Sequence, residues 1–508
     1  MDTATTSSTA QETPGGKQSA SEAWQPLPPD QWDEAAARHL LFRTTWSAQP
    51  AEVTRATKEG LQPTLNRLFP PQAEPFPTPK LVADLQEDTP EFTQKIRAAT
   101  PEEKRMLQKE ARDRSQQAFS DMAVRWLQFA ADPQRSAFEK WVLFLSDIYV
   151  VSFEKVRNAA LIHDHFGKLR EYALGPAPHL TKAISRSPAM IQYLDLQESK
   201  KDAPNENFAR ELFELFVLGE GNYTEADIKQ AARAFTGYRR QYGTFRFAQN
   251  QHDTGKKTVF GHTGNFDGDE VIDLAYKQPA AARFVPNEMV KFYLSETPLP
   301  PETVAELGDW WRSQKFNLRA LAHRFFGSRA FFDSAGRGNF IKSPVQFYLG
   351  LVQDLQLDVA PLPRRVLGSL RQMGQNLFTP PNVRGWVGGR NWINSSTFSA
   401  RRQLVQTLFY PINEANLNAD EQAELARARD GGRTRFTVDP DWLKKIAKDD
   451  APSAAEQVIA TFLPTQTDGE VRRKIADFIG TAPSPNQRVE KTRSAIIALL
   501  QSPEYQLC

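Results

Sequence analysis

In the segment NENFARELFELF, an amide, a guanidinium and two carboxylates recur at offsets of three and four: Asn207, Arg210, Glu211 and Glu214. On a helix such offsets stack side chains along one stripe, while Phe208, Leu212 and Leu215 turn to another face. Two carboxylates one turn apart are hard donors for a divalent cation, or an acid and a base for proton transfer, with Arg210 countering their charge. The same stripe equally describes an ion network in which Arg210 pairs with Glu214 and Asn207 bonds a neighbouring loop. Downstream, QNQHDTGKKTVFGHTGNFDGDE sets His252, Asp253, His262, Asp267 and Asp269 among glycines. Glycine-rich backbone with His and Asp can build a metal or phosphate site. Its spacing is neither an EF-hand nor a Walker loop, and a hairpin followed by Asp269 as a helix cap accounts for much of it.

A third segment, FTPPNVRGWVGGRNWINSSTFSARR, interleaves Arg384, Arg390, Trp386 and Trp392 with Asn391 and Asn394 on backbone controlled by Pro and Gly. Arg and Trp so mixed can stack a sugar ring, a base or a peptide, or can pack as a tight loop on helices. The candidate polar site is therefore Asn207, Arg210, Glu211, Glu214, His252 and Asp253, and the candidate binding loop is Arg384, Trp386, Trp392 and Asn394. A divalent metal is the one cofactor these residues suggest: oxygen donors favour Mg, Ca or Mn, and His252 admits Zn or Fe. His163 and His165, two apart, point to different faces of a helix and are read as surface residues, and His39, His179 and His323 as structural. No G-x-S-x-G, HExxH, dinucleotide-binding or kinase pattern is present.

Helices must position these groups. Apolar residues recur at helical spacing in AAARHLLFRTTW, FEKWVLFLSDIYVV, NAALIHDHFGKLREYAL and many later segments. Thr100 with Glu103, and Thr224 with Asp227, form capping-box signatures; Asn205 suits a helix start, and Gly219, Gly221 and Gly237 suit exits. The one strand signal is TFRFA at 244–248 with KTVF at 257–260, expected to pair as a single hairpin. The fold class is mostly α, a multi-helix globular protein with one small β-hairpin.

The chain has 508 residues, 63 basic and 61 acidic, so no global charge draws it to nucleic acid or an anionic membrane. Its only cysteine, Cys508, excludes an internal disulfide and every cysteine-based metal spacing. No apolar run is long enough to span a bilayer, and the polar N-terminus lacks the features of an export signal, so a cytoplasmic protein is expected. Residues 1–28 are rich in Ser, Thr, Gly and Gln and are read as a disordered tail. The remainder divides into an N-terminal helical region (29–237), a hairpin and Gly-rich loop (238–268), a central helical region (269–410) and a C-terminal helical region (411–508).

Four segments in order, PAMIQYLDLQESKKDAPNENFARELFELFVLGEGNYTEADIKQAARAFTGY, HDTGKKTVFGHTGNFDGDEVID, KSPVQFYLGL and FTPPNVRGWVGGRNWIN, resemble the bacterial family called domain of unknown function 1800. The likeness runs from about residue 32, ahead of AAARHLLFRTTWSAQPAEV, to SPEYQ at the end. It implies one compact unit over 29–508 and no assigned reaction. It also implies relatives that are often exported, and a partner encoded nearby in an uncharacterised sulfatase-like family. Where such relatives read W-H-N-H-F, this chain has Leu145-Ser146-Asp147-Ile148-Tyr149, with Ser146 and Ile148 in place of both histidines. The alternative to a ligand or metal site is a non-catalytic helical scaffold that docks a protein through the Arg–Trp loop.

Overall fold

Apolar residues at helical spacing must bury one stripe each, and here they do so against one another. The computed structural model describes residues 20–86, 88–463 and 469–508. Among the described residues there are 26 α-helices and only two small antiparallel strand pairs, so the fold is mostly α. Capping boxes close at Thr100–Glu103 before the Pro101–Ala130 helix and at Thr224–Asp227 before the Glu225–Ala234 helix. Each supplies partners to N–H groups that a helix start leaves open. No helix among the described residues is long and apolar enough to cross a membrane.

The strand pairing differs from the expectation. β1 (Tyr238–Gln241) pairs with β2 (Thr244–Phe247), and β3 (Lys257–Val259) with β4 (His262–Gly264); 244–248 does not pair with 257–260. Each chain reversal takes two residues, Tyr242–Gly243 and Phe260–Gly261, all four at positive φ. Such turns match the right-handed twist of the strands they join, so each strand folds back on its immediate neighbour. The helix that follows, Gly268–Lys277, is capped by Asp267, whose carboxylate accepts from the Glu270 N–H, and not by Asp269. Asp269 instead pairs with Arg186 at 2.6 Å.

Of the tail expected to be disordered, residues 1–19 lie outside the described residues. Residues 20–28 are packed: Ala20–Ala23 is helical, Trp24 is 1% exposed, and its indole N–H donates to the Thr303 carbonyl at 2.7 Å. Trp24 and Leu27 bring enough apolar area to anchor an otherwise polar stretch. A single cluster of buried apolar side chains draws on residues from Ala23 to Cys508, and a small satellite forms around Leu425 and Phe436.

At its centre lies the Ser136–Ile148 helix, buried over nearly its whole length. Of its two carboxylates, Glu139 is wholly buried and is matched by Arg170 and by the Trp126 indole N–H at 2.8 Å. Such pairing is what makes a charge tolerable there. The C-terminal end of this helix opens onto the site described next.

Candidate functional site

Residues 207–217 are not one regular helix. Asn207–Glu211 is α-helical and Leu212–Val217 is a π-helix, whose wider turn breaks the three-and-four register of the expected stripe. Arg210 consequently does not pair with Glu214. It meets both carboxylate oxygens of Glu225 at 2.8 Å, and Glu206 at 3.3 Å. Glu214 accepts from the Tyr223 hydroxyl at 2.7 Å and from Arg384 Nη2 at 2.5 Å. Glu211 is half-buried between them, its carboxyl pushed up by burial and by Glu214, against the pull of Arg384 and Arg210. Asn207 is exposed, and its backbone N–H donates to Asn205 Oδ1 at 2.9 Å.

His252 and Asp253 belong elsewhere. Asp253 is clamped by Arg233, with Nε 2.7 Å away, which holds its carboxyl below the usual range. His252 is buried with Nδ1 2.9 Å from the Thr236 carbonyl. Arg233 sits at the far end of the Glu225–Ala234 helix from Glu225, about 12 Å away along the axis. The two halves of the expected polar site therefore brace opposite ends of one helix. Among the described residues no group of three or more His, Cys, Asp or Glu side chains is placed to hold a metal ion.

The Arg384–Glu214 pair joins the carboxylate segment to the Arg–Trp loop, two features that sequence reasoning kept apart. The loop is drawn further in by Asp147, at the end of the Ser136–Ile148 helix: its Oδ1 accepts the Trp386 N–H at 2.8 Å. Gly385 makes this approach feasible, because its φ is +79° and a Cβ there would collide with the Asp147 carboxylate. Burial pushes the Asp147 carboxyl up to about 7, the Trp386 N–H acting against this and the nearby Glu288 reinforcing it. Asp147 keeps some exposure, toward a cleft with two lobes.

The outer lobe, about 560 Å³, is charged and is bounded by Glu214, Arg283 and Asn222 among others. The inner lobe, about 270 Å³, has aromatic walls that include Phe144, Phe292, Trp386 and Trp392. Asp147, Ile148, Glu288, Lys291 and Arg384 line both. The Trp386 indole N–H is buried without a protein partner. Asn394 has another task, capping the Ser395–Leu408 helix by accepting from the Ser396 and Thr397 N–H groups.

Sequence reasoning missed Lys140, which also lines the inner lobe. It is 4% exposed, and Nζ donates to the Thr45 carbonyl at 3.1 Å. Burial lowers it to about 7, with Arg43 and Lys342 pushing the same way and Cys508 opposing. Lys140, Phe144 and Asp147 share a helix face at offsets of four and three. Charged residues at both ends of the apolar run in EKWVLFLSDI, Glu139 and Lys140 before it and Asp147 after it, were the available signal.

The histidines also depart from expectation. His165 is buried, not at the surface, with Nδ1 3.0 Å from Ser187 Oγ and Nε2 3.0 Å from the Tyr149 carbonyl; burial lowers it to about 4. His163 is half-buried beside it in sequence, on the same helix. Ser146, His165 and Trp386 wall a void of about 20 Å³, so His165 reaches the place in space that Ser146 fronts. The Ser146 hydroxyl itself donates to the Leu143 carbonyl at 2.7 Å.

Residues 39–507 match the family described as Protein of unknown function (DUF1800), and the chain belongs to it. No curated protein and no solved structure matches the chain.

Proposed function

We propose that this member of the DUF1800 family binds a small organic ligand in the two-lobed cleft. The planar or apolar part of the ligand lies against Trp386, Phe144 and Phe292, and its polar part turns toward Asp147, Glu214 and Arg384. The observation that carries the reading is the position of Asp147, which leaves an otherwise buried helix at the wall common to both lobes. Concave sites of this size, with apolar walls and a few convergent polar groups, are where proteins take small molecules. A carboxyl near 7 can both accept and donate a hydrogen bond at neutral pH.

Of the expected polar site, only Glu214 lines the cleft of this reading; Arg210 and Asp253 brace the Glu225–Ala234 helix, and His252 bonds Thr236 just beyond its end. A divalent cation draws little support, since among the described residues no three His, Cys, Asp or Glu side chains gather as a donor set. Docking of a partner protein, sulfatase-like or other, through the Arg–Trp loop draws little support too, because both of its indoles line the inner lobe.

The test uses N-phenylnaphthylamine, an uncharged aromatic dye whose fluorescence is sensitised by nearby tryptophan. The wild-type chain is expected to show one saturable site, weakened about tenfold by Trp386→Ala, a loss of about 1.4 kcal/mol of aromatic contact. Met106→Ser, at a side chain exposed on the Pro101–Ala130 helix, is expected to leave binding unchanged. Equal affinity in wild type and Trp386→Ala would remove the cleft as the site.

A further inference from the structure

We infer that the inner lobe is a carbonyl site in which the Lys140 amine condenses with an aldehyde carrying an aromatic or other apolar group. The inference rests on the cleft reading above for access to the lobe, and on the surroundings of Lys140 for the chemistry.

A buried lysine usually has a carboxylate within reach, because an unpaired ammonium in an apolar setting is costly. Lys140 has no ion-pair partner among the described residues. Its polar contact is one hydrogen bond to the Thr45 carbonyl, and its Nζ stands 5.8 Å from the centre of the Tyr293 ring. The charged groups that bear on it are Cys508, which favours the ammonium, and Arg43 from the Glu34–Thr44 helix and Lys342, which disfavour a third positive charge. Desolvation is the larger influence, so a large share of Lys140 is the neutral amine at neutral pH. Lys140 lines the lobe, and its single hydrogen bond to Thr45 uses an N–H and leaves the lone pair of the neutral amine unengaged.

The rest of the lobe suits a carbonyl compound with an apolar substituent better than an anion. Arg384 is committed to Glu214, and Lys291 to Glu288 at 2.7 Å, so neither cation is spare for a phosphate or carboxylate. The walls are Phe144, Phe292, Phe340, Trp386 and Trp392, within a volume of about 270 Å³. A desolvated lysine in a hydrophobic pocket is one of the ways proteins activate an amine as a nucleophile. In the reaction the Lys140 lone pair forms a bond to the carbonyl carbon and one N–H proton passes to the carbonyl oxygen. The carbinolamine then loses its hydroxyl with the second nitrogen-bound proton as water, leaving the imine. Atoms balance as amine plus aldehyde giving imine plus water, and no oxidant or reductant is required.

The experiment treats the full wild-type chain at pH 7 with benzaldehyde and sodium cyanoborohydride, which reduces an imine to a stable benzylamine, and maps the modified lysines by mass spectrometry. Lys140 is expected to be labelled roughly a hundredfold faster than Lys80 and Lys474, which are exposed and each paired with a carboxylate. Labelling of Lys80 and Lys474 with none at Lys140 overturns the inference, as does labelling of Lys140 only after denaturation. No substitution is needed, so the result does not depend on whether a Lys140 variant folds. Dye binding in the cleft with an unlabelled Lys140 would remove the imine and keep the binding reading. A labelled Lys140 in a chain that binds no dye would support the amine site and remove the wider cleft.

Discussion

Asp147 combines a buried carboxyl with a single backbone donor, and the balance gives a pH dependence of definite sign. Its folded-state value is raised, so the folded chain holds the proton more tightly than the unfolded chain does. The stability this contributes is complete below about pH 4 and is lost as pH rises toward about 7, where the folded state must ionise it. Asp147→Asn removes the ionisation while an amide oxygen can still accept the Trp386 N–H. Thermal unfolding of both proteins between pH 4 and pH 8 is expected to give curves that diverge. The variant should be more stable at pH 8 by about 1–2 kcal/mol, the full shift being reduced by residual solvent access. Parallel curves would mean that Asp147 ionises as an ordinary carboxylate. At this scale the sequence was legible in part. Glu214 and Trp386 line the cleft, but Lys140 was passed over beside WVLFL, because a helix that is apolar nearly all round gives no sign of which face meets a cavity. His165 was misplaced for a related reason: the Ser187 hydroxyl and Tyr149 carbonyl that satisfy it come from other segments.

Among the elements, those governed by neighbours in sequence were readable. Both capping boxes formed, since a cap is a contract between residues three apart. The π-helix at Leu212–Val217 was not readable, because the residues that hold Glu214 in its direction are Tyr223 and Arg384, the latter 170 positions away. The two hairpins escaped for a different cause: their turns place an aromatic residue, Tyr242 or Phe260, at positive φ before glycine, where Asn or Asp is the usual signal. The loop carrying Arg384 and Trp386 gives the sharpest test at this scale. Gly385 combines left-handed backbone with contact against Asp147, so Gly385→Ala meets a conformational penalty and a collision together. Destabilisation of about 2 kcal/mol is expected in urea titration, with the tryptophan emission of the native state shifted to the red as Trp386 leaves its packing. A variant with unchanged stability and emission would show that the loop approaches Asp147 less closely than described.

Across the whole molecule, stability and site share one framework, and the contacts that close it are long-range. Helical class and overall extent could be read from composition and ordered motifs, whereas the cleft depends on Trp386 meeting Asp147 across 239 positions and could not be. The N- and C-terminal parts are joined in the same manner. Asp354, buried at the end of the Pro344–Asp354 helix, accepts hydrogen bonds from Ser47 and, at 2.8 Å, from the Tyr505 hydroxyl. Burial raises its carboxyl to about 6, with Lys342 and the two hydroxyls drawing it back. Segments near both ends of the chain thus converge on one carboxyl inside the shared core. Tyr505→Phe removes one of the two hydroxyl donors without changing the ring, which packs on Phe347 and Phe462. The expected cost is about 1–2 kcal/mol, because a buried acceptor loses a partner that nothing apolar can replace. In a chain this long such a cost should lower the calorimetric melting temperature by about 1–3 °C. If the core is one cooperative unit, the whole endotherm moves down together. A variant scan that splits into two transitions, the lower one carrying the residues after 411, would mean that the C-terminal helices unfold separately and that Asp354 ties them to a framework they do not share.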